Sequence, residues 1–220
     1  MKLHLGCGRY YLEGYINVDY PPTEHTVQSD IKPDIYCDIT KLSYRPESIE
    51  EIRLHHVFEH FSRPVALALL CRWRDWLKVG GILRIETPDL SASLLLLISP
   101  FSSYKKKQQV IRHLFGSHES HWAVHWDGWY ADRFRRTLLM LGFEGPIFEF
   151  TRWGALRNVD VTTRKSARAI DYAEYENLVS ELLQHSLIGT PASPPMKAGG
   201  SEKELLDVWM HAWKVAYLAK

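Results

Sequence analysis

Apolar residues fall along this chain in short runs separated by turn-forming clusters, and past residue 166 in longer stretches of helical period. Runs with strand character occupy residues 2–5, 16–19, 34–37, 52–56 and 81–87, and two more, 146–150 and 159–164, follow. Between the fourth and fifth runs the pattern turns helical. Val65, Leu69, Trp73, Trp76 and Leu77 make one apolar face, Ser62 can cap it, Pro64 sits in its first turn and Gly80 lies just past its end. A second helix is predicted over 131–141, stopped by Gly142. Strands alternating with helices at this spacing predict an α/β fold, a mostly parallel sheet with helices on both faces.

Residues 167–220 change character. Asp171 with Glu174, and Ser201 with Glu204, match the capping-box pattern. Tyr175, Leu178, Val179, Leu182 and Leu183 follow the first pair at helical spacing; Leu205, Val208, Trp209, Ala212, Trp213 and Ala216 follow the second. Between them runs "IGTPASPPMKAGGSE", a flexible connection by composition. The chain therefore divides into an α/β domain over 1–166 and a helical C-terminal appendage over 167–220. Two tryptophans on one stripe of the last helix require a docking partner, either the protein's own domain or a second copy in a homodimer.

Composition narrows the class. Hydrophobic residues at 45% and charged residues at 24% suit an ordinary globular chain, and 220 residues suit one domain with an addition. A net charge of +1 offers no argument for nucleic acid, a membrane or an acidic partner. Cys7, Cys37 and Cys71 are scattered without a CxxC, which points to a reducing compartment. A strand begins at once with no signal-peptide pattern, and the longest aliphatic run, 94–98, is far short of the ~20 residues that span a bilayer. A cytoplasmic protein is expected.

The chemistry begins at "KLHLGCGRYYLEGYINVDY". Glycines directly after a strand mark close approach of backbone to a ligand. A dinucleotide fingerprint needs GxGxxG opening a helix, with an acid about 20 residues on. Here the third glycine is missing, residues 9–15 leave no room for a helix, and Asp19 arrives early. The phosphate-binding half is absent, while the glycine turn and strand-end acid remain. A nucleoside cofactor without phosphates, such as S-adenosylmethionine, needs only those two. Asp38 in "DIYCDIT" can accept from an adenine amino group beside the Ile39 amide, and "IRLHHVFEHF" sets His55, His56, Glu59 and His60 at the carboxyl end of the fourth strand.

In order, "LHLGCG", "INVDY", "HHVFEHF" and "LKVGGILRIETPDL" resemble the motifs of class I S-adenosylmethionine-dependent methyltransferases. More narrowly the chain is similar to small bacterial methyltransferase-like proteins, often associated with glycan biosynthesis. The later "HWDGWYADRFRRTLLMLGFEG" is similar to the same group's His/aromatic segment. The likeness spans about residues 2–165. It implies a Rossmann-like seven-stranded sheet with the last strand antiparallel. It assigns Gly6, Cys7 and Gly8 to the cofactor's amino-acid end, Asp19 to ribose, Asp38 and Ile39 to adenine and His56 to the floor near the methyl group.

The acceptor side is open to more than one reading. Glu59 and His60 are either general bases for a substrate hydroxyl or a structural clasp; of the His/Trp segment, His125 is the residue expected to touch substrate. His113, His118, His121 and His125 follow no usual ligand spacing, so no metal is expected. Trp122, Trp126 and Trp129 suggest a cover over the cleft. Arg152, Arg157, Arg164, Lys165 and Arg168 suit an anionic acceptor such as a nucleotide sugar, and Lys105–107 a solvated helix face. The resulting expectation is methyl transfer from S-adenosylmethionine to an oxygen, or a nitrogen, of a small acceptor such as a sugar. The alternative is a non-catalytic methyltransferase fold used for binding or assembly.

Overall fold

The computed structural model describes residues 1–27, 30–188 and 200–219. Most of the Pro/Gly/Ser-rich connection lies outside the described residues. Strands β1 (Lys2–Leu5), β2 (Ile16–Asp19), β3 (Ile35–Tyr36), β4 (Ile49–His55), β5 (Leu77–Pro88), β6 (Phe143–Trp153) and β7 (Leu156–Lys165) form one sheet. Its order is β3-β2-β1-β4-β5-β7-β6. The pairs from β3 through β5 are parallel, and β7 runs antiparallel between β5 and β6. Connections leave β1 in one direction and β4 in the other. The carboxyl ends beside this switch point are where an open α/β sheet receives ligands.

The helices are α1 (Arg63–Trp76), α2 (Leu90–Ile98), α3 (Tyr104–Phe115), α4 (Ala131–Met140), α5 (Tyr172–Gln184) and α6 (Ser201–Leu218). One apolar core holds Leu3, Leu5, Ile52, Leu54, Leu83, Ile85, Val159 and Val161 from alternate strand positions, together with side chains of α1, α4, α5 and α6. Phe58 ties the sheet edge to this layer, its ring 5.8 Å from Trp73, 4.8 Å from Trp129 and 6.0 Å from Phe134. The opposite strand positions are polar and answer each other. Lys2 pairs with Glu51, His4 meets Asn17, and Arg84 grips Asp160 with two nitrogens.

Helix coverage is uneven between the faces: α1, α4, α5 and α6 join this one core, α2 and α3 meet β7, and the polar face of β1 and β2 has no crossover helix among the described residues. The reason lies in the first two crossovers. In the β1–β2 and β2–β3 connections the described residues hold no helix beyond a 3₁₀ turn, Pro22–Glu24. With no helix to bury it, that face keeps polar side chains. The β1–β2 segment instead hangs on Asn17, which is fully buried. Its side chain donates to the Leu12 and Tyr15 carbonyls at 3.0 and 3.1 Å and accepts from the Leu12 N–H at 2.9 Å.

Helix ends also differ from expectation. α1 stops at Trp76 and the chain turns straight into β5. Gly80, at φ +77°, serves the irregularity where Ile49 pairs with Leu77 but Glu51 pairs with Ile82. At α6 the capping residue is Gly200, so Ser201 is already helical and forms no capping box. Asp171 does cap α5, accepting from the Glu174 N–H at 2.8 Å, while the Glu174 carboxylate turns away to Arg168. α2 was not foreseen, because "LSASLLLLI" is almost uniformly apolar and has no period to read, and of α3 only the solvated helix face at Lys105–107 was. Capping by Asp89 and Ser103 sets where each begins.

α5 and α6 lie on α1 of the same chain. Trp213 is fully buried, and the Tyr175 and Tyr217 hydroxyls donate to the two oxygens of Asp75 at 3.0 and 2.8 Å. Arg72 donates to the Thr40 and Ala216 carbonyls. The buried stripe of α6 runs through Leu206, Trp209, Met210, Trp213, Ala216 and Tyr217, whereas Val208, expected on it, is exposed.

Candidate active site

The turn after β1 folds back on β2, with the Gly6 and Cys7 N–H groups both donating to the Val18 carbonyl, at 2.8 and 3.2 Å. Gly6 has φ +67°, and a Cβ there would come within 2.2 Å of Val57 Cγ2. Glycine at this position is therefore demanded by packing against the segment after β4 as well as by backbone conformation. Cys7 is buried, which pushes its thiol up to about 12. It shapes the turn and supplies no thiolate.

Asp19 ends β2 only 7% exposed. Its Oδ2 accepts from the Gly8 N–H at 2.6 Å and its Oδ1 from the Tyr20 N–H at 2.7 Å. His25 Nε2 stands 3.3 Å from the same Oδ1. Trp122 closes over them, its ring 5.1 Å from His25 and 6.3 Å from Tyr20, its Nε1 donating to the Glu24 carbonyl at 2.7 Å. Asp38 caps a 3₁₀ turn, Ile39–Lys41, its Oδ1 accepting from the Thr40 N–H and hydroxyl at 2.9 and 2.8 Å. Ile39 is buried in the core. Burial, and then the nearby Asp38 carboxylate, push the Tyr20 phenol up to about 12, so its proton stays on.

Trp122 also touches the second cluster, lying edge-on to His60 at 5.9 Å, and His60 lies edge-on to His125 at 4.6 Å. Glu59, 2% exposed, is the hub. His56 Nδ1 is 3.4 Å and His125 Nε2 3.9 Å from Glu59 Oε1, and His56 Nε2 is 3.3 Å from Glu86. Burial alone would strip His56 of its charge. The two carboxylates outweigh burial and raise its pKa, and the same ion pair overcomes burial to hold Glu59 low. His56 takes a left-handed backbone, φ +53°, rare for a residue with a Cβ and held here by its N–H bond to the Glu86 carbonyl at 2.9 Å. Burial drives His113 and His125 down to about 4, so both rings are neutral at pH 7.

Polar atoms here lack protein hydrogen-bond partners among the described residues: both Glu59 oxygens, both His113 nitrogens, His125 Nδ1 and Asn158 Oδ1. Glu59, His60 and His125 also bring one donor atom each within 4.8 Å of one another. Beside the cluster, a cleft of about 260 Å³ is lined by Asp89, Ala92, Phe150, Thr151, Arg152 and Arg157.

The expected site residues thus fall into two groups on one sheet edge: Gly6, Cys7, Gly8, Asp19, Asp38 and Ile39 at the β1–β3 end, and His56, Glu59, His60 and His125 at the β4–β5 end. Trp122 joins the two groups, Trp129 is core, and Trp126 faces solvent. His118 and His121 stand exposed, away from the cluster. Sequence reading missed His25 and Glu86. Glu86 had a signal, since it sits at the same strand-end level as His55 on a paired strand; His25, in an irregular loop, had none.

No protein-family model matches this chain, and no curated protein does. Solved structures share its fold. A S-adenosylmethionine-dependent methyltransferase from Archaeoglobus fulgidus is 15% identical, over 74% of this chain and 85% of its own, with a TM-score of 0.50. The 1,6-didemethyltoxoflavin-N1-methyltransferase of Burkholderia thailandensis, solved with S-adenosylhomocysteine, is 16% identical over 75% and 70%, with a TM-score of 0.47. A possible exported protein from Bordetella parapertussis is 20% identical over 76% of this chain, with a TM-score of 0.48, and this chain spans 62% of its length. With the strand order and the antiparallel β7, the Archaeoglobus likeness places the chain in the Rossmann-like methyltransferase fold.

Proposed function

We propose that the chain is an S-adenosylmethionine-dependent methyltransferase acting on an oxygen, or a nitrogen, of a small acceptor. The observation that carries this reading is the division of one sheet edge. A glycine turn and two strand-end acids occupy one end, and a buried Glu/His cluster with unpartnered polar atoms occupies the other. The residue types at the first end suit the cofactor: Gly6, Cys7 and Gly8 would back its amino-acid end, Asp19 its ribose, Asp38 and the Ile39 amide its adenine. When bound, the cofactor supplies an electrophilic methyl on a sulfonium whose departure needs little help, so alignment carries much of the rate.

The chain's own part then lies in the cluster. Glu59, kept ionised by His56, orients His125 and offers its free oxygens to an acceptor N–H or O–H. With pKa values held far below neutrality, Glu59 and His125 are weak bases at pH 7, which favours positioning over proton abstraction. Arg152 and Arg157 in the adjoining cleft suit an acceptor bearing an anionic group, such as a nucleotide sugar.

One observation favours the second reading, a non-catalytic methyltransferase fold. Asp19 is buried with both oxygens engaged, and His25 and Trp122 cover it. Under the methyltransferase reading these two side chains move aside when a nucleoside binds. Calorimetry with S-adenosylhomocysteine tests both. Binding that disappears in Asp19→Ala, with methyl transfer to some acceptor, supports the enzyme. No heat from folded protein at high micromolar ligand would sink it.

A further inference from the structure

We propose that the α2–α3 hairpin is a docking surface for an anionic lipid bilayer, which it meets by lying in the interface and not by crossing it. The surface does not rest on the methyl-transfer reading. Two successive helices turn apolar residues outward. Leu94, Leu95 and Ile98 lie along one side of α2, and Tyr104 and Phe115 on α3. The turn between them puts Phe101 at the tip, 96% exposed, with Tyr104 79% and Ile98 76% exposed beside it. A single exposed leucine means nothing, but a run of large apolar side chains on one hairpin marks an interaction surface.

Charge selects the partner. From residue 90 to residue 118 there is no Asp or Glu, while Lys105, Lys106, Lys107 and Arg112 are all cationic. The whole chain is otherwise balanced, at a net +1. An apolar face with aromatic residues at its tip and a basic rim fits acyl chains below and anionic headgroups around. A symmetric contact of this face with a second copy would bring two acid-free basic rims together, which is repulsive. No helix among the described residues is long and apolar enough to cross a membrane, which agrees with an interfacial pose. The hairpin starts from Asp89 at the end of β5, and its His113 ring lies 5.7 Å from His56. A docked bilayer would therefore lie beside the Glu/His cluster.

Flotation with phosphatidylcholine vesicles, with and without phosphatidylglycerol, tests the proposal on the full chain. Binding is expected to the anionic vesicles alone, to weaken about ten-fold or more in Ile98→Asp and Phe101→Asp, and to weaken likewise in the Lys105→Glu/Arg112→Glu pair and at high salt. These side chains are exposed, so melting temperatures are expected to match wild type. Equal capture by neutral and anionic vesicles, or anionic binding untouched by these variants, would overturn the proposal. So would a solution dimer that Ile98→Asp splits while vesicles capture nothing, since the face would then belong to a second copy.

Discussion

At the β2 end of the sheet edge, Asp19 and Asn17 engage their oxygens and nitrogens with neighbours on the backbone; at the β4–β5 end, Glu59, His113 and His125 leave theirs without hydrogen bonds. Both groups are buried, so burial does not separate them. What differs is whether the chain itself satisfies them. A buried polar group that is fully bonded holds structure, whereas one left without a bond raises free energy until something fills it. At the first end these bonds close the short crossover, and His25 Nε2 is the unpartnered atom that lies against them. The second is where a polar ligand has most to offer.

Substitutions can break this comparison. The largest effect is expected from Asn17→Ala, which orphans the Leu12 N–H and two carbonyls and should lower unfolding free energy by about 3 kcal/mol in urea titrations. A loss below about 1 kcal/mol would mean that the crossover is not held as described. Acidification should follow. His55, His113 and His125 are driven down to about 4 by burial, so the folded chain refuses protons that an unfolded chain accepts from 6.5 downward. Their support for the fold is complete above pH 6.5 and shrinks as pH falls toward 4, by at most about 1.4 kcal/mol per pH unit for each ring. His56, raised by its two carboxylates, does the opposite, contributing fully below 6.5 and losing its part steadily as pH rises from there to about 10.

His113→Leu sharpens the contrast. It removes two unpartnered buried nitrogens and should leave the fold as stable or more stable by about 1 kcal/mol at pH 7, with a flatter acid limb. A large loss would show that the ring is bonded after all. The smallest expected effect is on ligand affinity. Trp122→Ala should uncover Asp19 and tighten S-adenosylhomocysteine by up to about three-fold in calorimetry, since the open form would no longer be the minor one. Weaker binding would make Trp122 part of the cofactor wall.

Much of the fold was legible in the chain. The seven strands were readable because apolar runs between turn signals have few alternatives, and the helix at 131–140 because its period and its glycine stop agree. The glycine turn and strand-end acids could be read for the same reason, since they are local. α2 was hidden by having no polar side, and Gly80 was misread because a helix stop and a strand bulge use glycine alike.

By itself the sequence determined local choices: where strands run, that no helix fits between Gly8 and Asp19, and which acids and imidazoles stand at strand ends. Tertiary structure decided what those groups meet. α1 was read as a helix with one apolar face, yet it is buried nearly all round, because α5 and α6 cover the side that faces away from the sheet. Asp19 was read as a strand-end acid open to a ribose, yet His25 and Trp122, 103 positions or fewer away in the chain, come to rest on it. Such contacts depend on loops whose course no short-range period encodes, and burial and hydrogen bonding act on whatever the fold brings together.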